Sequence, residues 1–147
     1  MTRPPTPPAA LDGPATEDNA VLVAKYFVAL FPYVTSTGDL QVWDRMSGRT
    51  CHYCANVRDI VTKLFDADQR SVGGADDIGF GSASRISADS FVAAIDLVQH
   101  PSRTVDRQDR VIETFPDTLV LRAHVELSWT GSRWRIDGLE MQRMGTQ

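Results

Sequence analysis

The chain reads as an α+β domain, with helices first and an antiparallel meander after them. Three features predict this. Apolar residues recur with a period near 3.6 between Ala20 and Val34, and again between Tyr53 and Phe65. After residue 90 the period changes to two: Leu119, Leu121, Ala123, Val125, Leu127 and Trp129 alternate with polar neighbours. Gly131-Ser132 then joins that run to a second one, which is a strong hairpin signal. Helices packed on one face of a curved antiparallel sheet follow from this order.

Residues 1–15 read as a disordered proline-rich leader, and 16–147 as one domain. Pro4, Pro5, Pro7, Pro8 and Pro14 are five of the eight prolines in the chain. Such a stretch favours extended, solvated backbone. It suits either a free terminus or a spacer that holds the domain off a membrane anchor.

The first helix should begin at Thr16 or Glu17, with Thr16 as cap and Glu17 and Asp18 at the positive end of the dipole. Pro32 should kink or end it. Thr37-Gly38-Asp39 marks a turn before a short helix, Leu40 to Met46. Thr50 is placed to cap the next helix, about 51–68, which Gly73-Gly74 should stop. Strands are expected over about 91–98, 110–115, 118–130 and 133–141, with a weak one around Ile78 to Ile86.

The composition is that of an ordinary globular protein: 147 residues, 42% hydrophobic and 23% charged. A net charge of -4 and a pI near 5.2 weigh against a nucleic-acid binder and against general attraction to anionic membranes. Lys25, Tyr26 and Pro32 interrupt the longest apolar run, so no uninterrupted membrane span is expected. Met1 leads straight into Thr-Arg-Pro-Pro, without a signal peptide. Met1 as the true start would make the protein cytoplasmic, and removal of a signal would make it extracytoplasmic.

Cys51 and Cys54 are the only cysteines. An i, i+3 pair on the first turn of a helix can close a small disulfide ring, and a structural Cys51–Cys54 disulfide is the expected state. Such a pair can also be redox-active, because the helix N-terminus lowers thiol pKa values and His52 adds to that effect. A redox pair is expected beside a βαβ pattern, which is absent here. Buried free thiols and metal ligation complete the alternatives. Structural zinc would need two more ligands, and His100 and His124 stand at no zinc spacing. No metal or other cofactor is expected.

Acid–base chemistry would need a carboxylate and a tyrosine in one cavity. Tyr26, Asp39 and Asp44 are the candidates, although Asp39 after a glycine equally suits a helix cap. Tyr26, Trp43, Trp129 and Trp134 are candidates for lining a ligand cavity. His124 and Glu126 fall on the polar face of their strand, and Arg103, Arg107 and Arg110 interleave with Asp106 and Asp109 as a mixed-charge loop or edge. No phosphate loop, serine elbow or HExxH motif is present.

The element order and the closing hairpin, Val125 to Leu139, resemble the cone-shaped cystatin-like fold of nuclear transport factor 2, ketosteroid isomerase and the SnoaL-type cyclases. Between residues 20 and 74, an aromatic helix, Thr37-Gly38-Asp39, Trp43, Met46-Ser47, Cys51-x-x-Cys54 and Gly73-Gly74 resemble a family of small actinobacterial lipoproteins of unknown function. That resemblance implies an envelope location behind a lipidated spacer, although this chain has no lipid-bearing cysteine before residue 51. The expected function is a non-enzymatic, extracytoplasmic, envelope-tethered domain binding a small apolar ligand or an envelope protein. Contact with a membrane would come only through an anchor missing from this sequence, and the open sheet face is compatible with a homodimer. The alternatives are a small isomerase or cyclase using the cone cavity, and a thiol–disulfide protein using Cys51 and Cys54.

Overall fold

The structure, a computed structural model, describes residues 3–146. Among the described residues, three α-helices precede seven strands: α1 (Glu17–Thr37), α2 (Gln41–Met46), α3 (His52–Asp66), β1 (Arg70–Gly73), β2 (Asp76–Arg85), β3 (Ser90–Gln99), β4 (Ser102–Val105), β5 (Val111–Phe115), β6 (Leu119–Trp129) and β7 (Trp134–Thr146). The strands form two antiparallel sheets, a four-stranded one in the order β2-β3-β6-β7 and a three-stranded one in the order β1-β4-β5. This is the α+β architecture expected from the change of period.

α1 starts where its cap predicts, with the Asn19 N–H donating to the Thr16 hydroxyl at 3.1 Å. It runs through Pro32 rather than ending there. Hydroxyls of the last turn add side-chain bonds to its carbonyls: Ser36 donates to that of Pro32 at 2.7 Å and Thr37 to that of Tyr33 at 2.8 Å. Gly38, at φ 74°, closes the helix by donating its N–H to the Val34 carbonyl. Averaged over a window, α1 is long and apolar enough to cross a membrane, which a search for an uninterrupted run misses. Over half of that window is buried inside the domain, and Val23, Ala24, Phe27 and Leu30 are core residues.

The core lies between α1 and the inner face of the larger sheet. Leu121, Ala123, Val125 and Leu127 of β6 are buried as their alternation predicts, and they pair in register with Leu97, Ile95, Ala93 and Phe91 of β3. His124 points to the other face and bonds Gln142 at 2.9 Å.

Four details depart from the sequence reading. Thr50 donates to the Asp137 carbonyl instead of capping α3, and the cap is Cys51, whose sulfur accepts the Cys54 N–H at 3.1 Å. α3 ends at Asp66, seven residues before the glycines expected to stop it, because Asp68 takes a left-handed conformation and Gln69 closes onto the Leu64 carbonyl. The freed segment forms β1, and the start of the segment read as a mixed-charge loop or edge forms β4, the middle strand of the small sheet. Both strands are four residues long, too short to show a period. Lastly, the leader is structured before residue 15. Ala9–Asp12 forms a 3-10 turn with Ala10 buried, held by the Trp134 indole N–H donating to the Ala10 carbonyl at 2.9 Å.

Candidate functional site

A pocket of about 470 Å³ opens between the C-terminal halves of α1 and α3, the small sheet and the near ends of β6 and β7. Its apolar wall comes from Phe31, Ile60, Leu64, Phe115 and Leu119. His100, Glu113, Asp117 and Arg143 supply polar groups around it. Ile60 belongs to the apolar stripe of α3, yet it is 52% exposed, because the stripe outruns the larger sheet and borders this opening. β5 is exposed along its whole length, so Phe115 also meets the opening without cover.

Asp76 sits beside the pocket at the start of β2, paired in register with Gln99 of β3, which lines it. The Asp76 Oδ1 atom is buried and has no hydrogen-bond partner among the described residues. Burial pushes the carboxyl up to about 7, against a hydrogen bond from the Gln99 side chain, while the neighbouring Asp77 charge adds to the rise and His100 opposes it. Tyr53 lies within reach of the same charge, and burial raises its hydroxyl well above the usual tyrosine value. Asp77 holds the His100 ring at 2.6 Å. The side chains of Asp76 and Tyr53 are not part of the pocket wall.

The residues singled out from sequence lie elsewhere. Trp43 is a core residue, stacked on Phe27 with ring centroids 4.2 Å apart, and its indole N–H donates to the Cys54 carbonyl. Trp134 is buried edge-on to Trp129, and Trp129 covers Gly13 of the leader. Tyr26 is buried in the core, where desolvation raises its hydroxyl pKa and Arg45 partly offsets the rise. Asp39 accepts the Tyr33 hydroxyl at 2.6 Å and the Gln41 N–H at 3.1 Å, so it performs the capping task. Those two bonds hold its carboxyl below the usual range. Asp44 pairs with Arg58 on the surface at 3.7 Å. None of these residues lines the pocket. The signal that could have found Asp76 was its i, i+2 relation to Ile78, which puts both on the inner side of β2.

Cys51 and Cys54 are disulfide-bonded, with both residues 2% exposed. Thiol–disulfide exchange needs access for the attacking sulfur, which this burial denies. The bond instead fixes the first turn of α3 beneath Trp43. Among the described residues, no three histidine, cysteine or carboxylate side chains come together as a metal site.

No family model and no curated protein matches the chain. Solved structures share its fold. The intermembrane-space region of the chloroplast protein ARC6 superposes with a TM-score of 0.61 at 11% identity, covering 84% of this chain and 96% of that one. An uncharacterised protein with a cystatin-like fold from Caulobacter vibrioides gives 0.54 at 12% identity, covering 88% of each chain. The Kfla4162 protein of Kribbella flavida gives 0.55 at 11% identity, covering 88% of this chain and 93% of that one. The chain thus has a cystatin-like α+β fold, and at these identities the likeness concerns fold alone.

Proposed function

We propose that this is an extracytoplasmic binding domain that holds a small, largely apolar ligand with a polar end in the pocket between α1, α3 and the small sheet. The pocket carries the reading. Its volume falls in the range of small-molecule sites, and such sites combine apolar walls with a few polar groups. Ile60 and Phe115 are each about half exposed on it, so a ligand would remove apolar surface from water that the fold leaves uncovered. The buried Cys51–Cys54 bond suits an oxidising compartment. The proline-rich residues ahead of the 3-10 turn suit the spacer of an envelope-tethered protein, in keeping with the lipoprotein-like pattern of residues 20–74.

Titration with the neutral fluorophore N-phenyl-1-naphthylamine tests the pocket. Ile60→Arg should weaken binding at least about tenfold, the scale of losing one buried aliphatic contact, while leaving the melting temperature near that of the unmodified chain. Leu22→Arg, at a similarly exposed position on α1 that does not line the pocket, should bind normally. Equal loss in both variants would refute the site.

A second reading rests on Asp76. A buried acid that titrates near neutrality beside a tyrosine is the kind of pair that an isomerase or cyclase uses. It requires a ligand to reach past Gln99. Solvent-deuterium incorporation into an enone probe by the native chain, and its loss in Asp76→Asn, is the result expected of that chemistry.

A further inference from the structure

A second cleft, of about 510 Å³, lies at the opposite side of α3, between the α2–α3 turn and the β6–β7 hairpin. Arg49, Arg133 and Arg135 line it against a single acid, Asp137. In a chain of net charge -4 this is a local reversal of sign. Two of the three guanidiniums, Arg49 and Arg133, make no ion pair among the described residues, and the third, Arg135, pairs with Asp137.

The third arginine is positioned. Its Nε donates to the Asp137 carboxylate at 2.6 Å, and the other oxygen of that carboxylate accepts the Ser128 hydroxyl. Asp137 is thereby anchored on both oxygens, and Arg135 is held through one of its five donors. The remaining donors are left for the cleft that the residue lines. The floor is built to let this happen. The Gly48 N–H donates to the Ile136 carbonyl at 2.7 Å, and Thr50 donates to the Asp137 carbonyl at 2.8 Å, so the turn lies flat against β7. A Cβ at Gly48 would stand 2.7 Å from the Ile136 carbonyl oxygen and 3.0 Å from the Arg135 Cγ. Only glycine admits the arginine stem there.

We infer that this cleft binds a phosphate-bearing anion. Arginine forks match tetrahedral oxyanions with paired, charge-assisted hydrogen bonds, and guanidiniums that border one cleft repel one another unless an anion joins them. The volume leaves room for an organic group on the phosphate. That group belongs either to a soluble phosphate ester or to a phospholipid headgroup, and the same three arginines would serve both. The inference does not depend on the apolar pocket.

Calorimetric titration of the full chain with glycerol 3-phosphate, at low ionic strength, should show one site. Arg133→Gln and Arg49→Gln should each weaken it by about tenfold, the scale of one lost charge-assisted hydrogen bond. Arg103→Gln, which removes the same charge on β4, should bind as the native chain does. Gly48→Ala should weaken binding by displacing Arg135, without removing any charge. Flotation with phosphatidylcholine vesicles, with and without phosphatidylglycerol, separates the sources. Capture only by the anionic vesicles, lost in Arg133→Gln, identifies a headgroup. Glycerol 3-phosphate binding without capture identifies a soluble ester. Absence of binding to both probes overturns the inference, and so does binding that falls as much in Arg103→Gln as in Arg133→Gln.

Discussion

Replacing Asp76 by Asn should stabilise the protein at pH 8 and change it little at pH 4. Burial is the main cause of a carboxyl pKa near 7 in the folded chain, against 3.8 for the free group. The folded state therefore holds a proton that the unfolded chain has released between those two values. Stability from the protonated acid is fully present below the unfolded pKa and is lost as pH rises through the folded one. Roughly three units at about 1.36 kcal/mol each set a ceiling near 4 kcal/mol. Asp76 is only partly shielded from solvent, and effective dielectric constants in proteins exceed the dry limit, so about 2 kcal/mol is expected. The amide introduced by Asp76→Asn stays neutral throughout, so the stability of this variant relative to the native chain should grow from near zero at pH 4 to about 2 kcal/mol at pH 8. Taking the difference cancels to first order whatever the two chains have in common. Urea unfolding followed by the emission of Trp43, Trp129 and Trp134 measures it. A difference that is flat with pH, or largest under acid conditions, would refute the buried-acid account.

Other substitutions probe the frame around the two clefts. Cys51→Ala with Cys54→Ala should cost about 2 kcal/mol in urea unfolding, the chain-entropy value for so short a ring. Before unfolding, neither cysteine of the native chain should take up an alkylating agent after mild reduction, because both are buried. Gly38→Ala should cost at least about 1 kcal/mol, because the residue sits at φ 74° and a Cβ would come within 3.0 Å of the Phe65 ring; a smaller shift in the urea midpoint would show that the ring yields freely. Trp134→Phe removes the hydrogen bond to Ala10 and should expose residues 9–12 to amide exchange faster than the strands, by about 1 kcal/mol in local opening.

The period of the apolar residues carried most of the fold. Val23, Ala24 and Phe27 on one helix stripe, and Leu121 to Leu127 on one strand face, must be hidden together, and few arrangements hide both. The Thr16 cap and the Gly131-Ser132 turn were equally legible, because they act within a few residues. The cysteine ring belongs with them, since three residues of separation on one turn suffice to close it. The short strands β1 and β4 were not legible, because a four-residue strand owes its form to its partner rather than to its own pattern.

The sites were decided by tertiary structure. Trp43 and Trp134 look like cavity aromatics in a list of residues, yet packing gives each indole N–H a carbonyl inside the core. Asp76 follows closely on two glycines, where acids usually mark turns, and its burial arises only where the start of β2 pairs with the end of β3 inside the folded chain. Arg49 stands more than eighty residues from Arg133 and Arg135 in the chain. Only the seating of the Gly48 turn on β7 brings the three charges together. Local chemistry and periodicity act along the chain and can be read from it. A pocket is a relation between distant segments, and only the packing of the whole chain sets that relation.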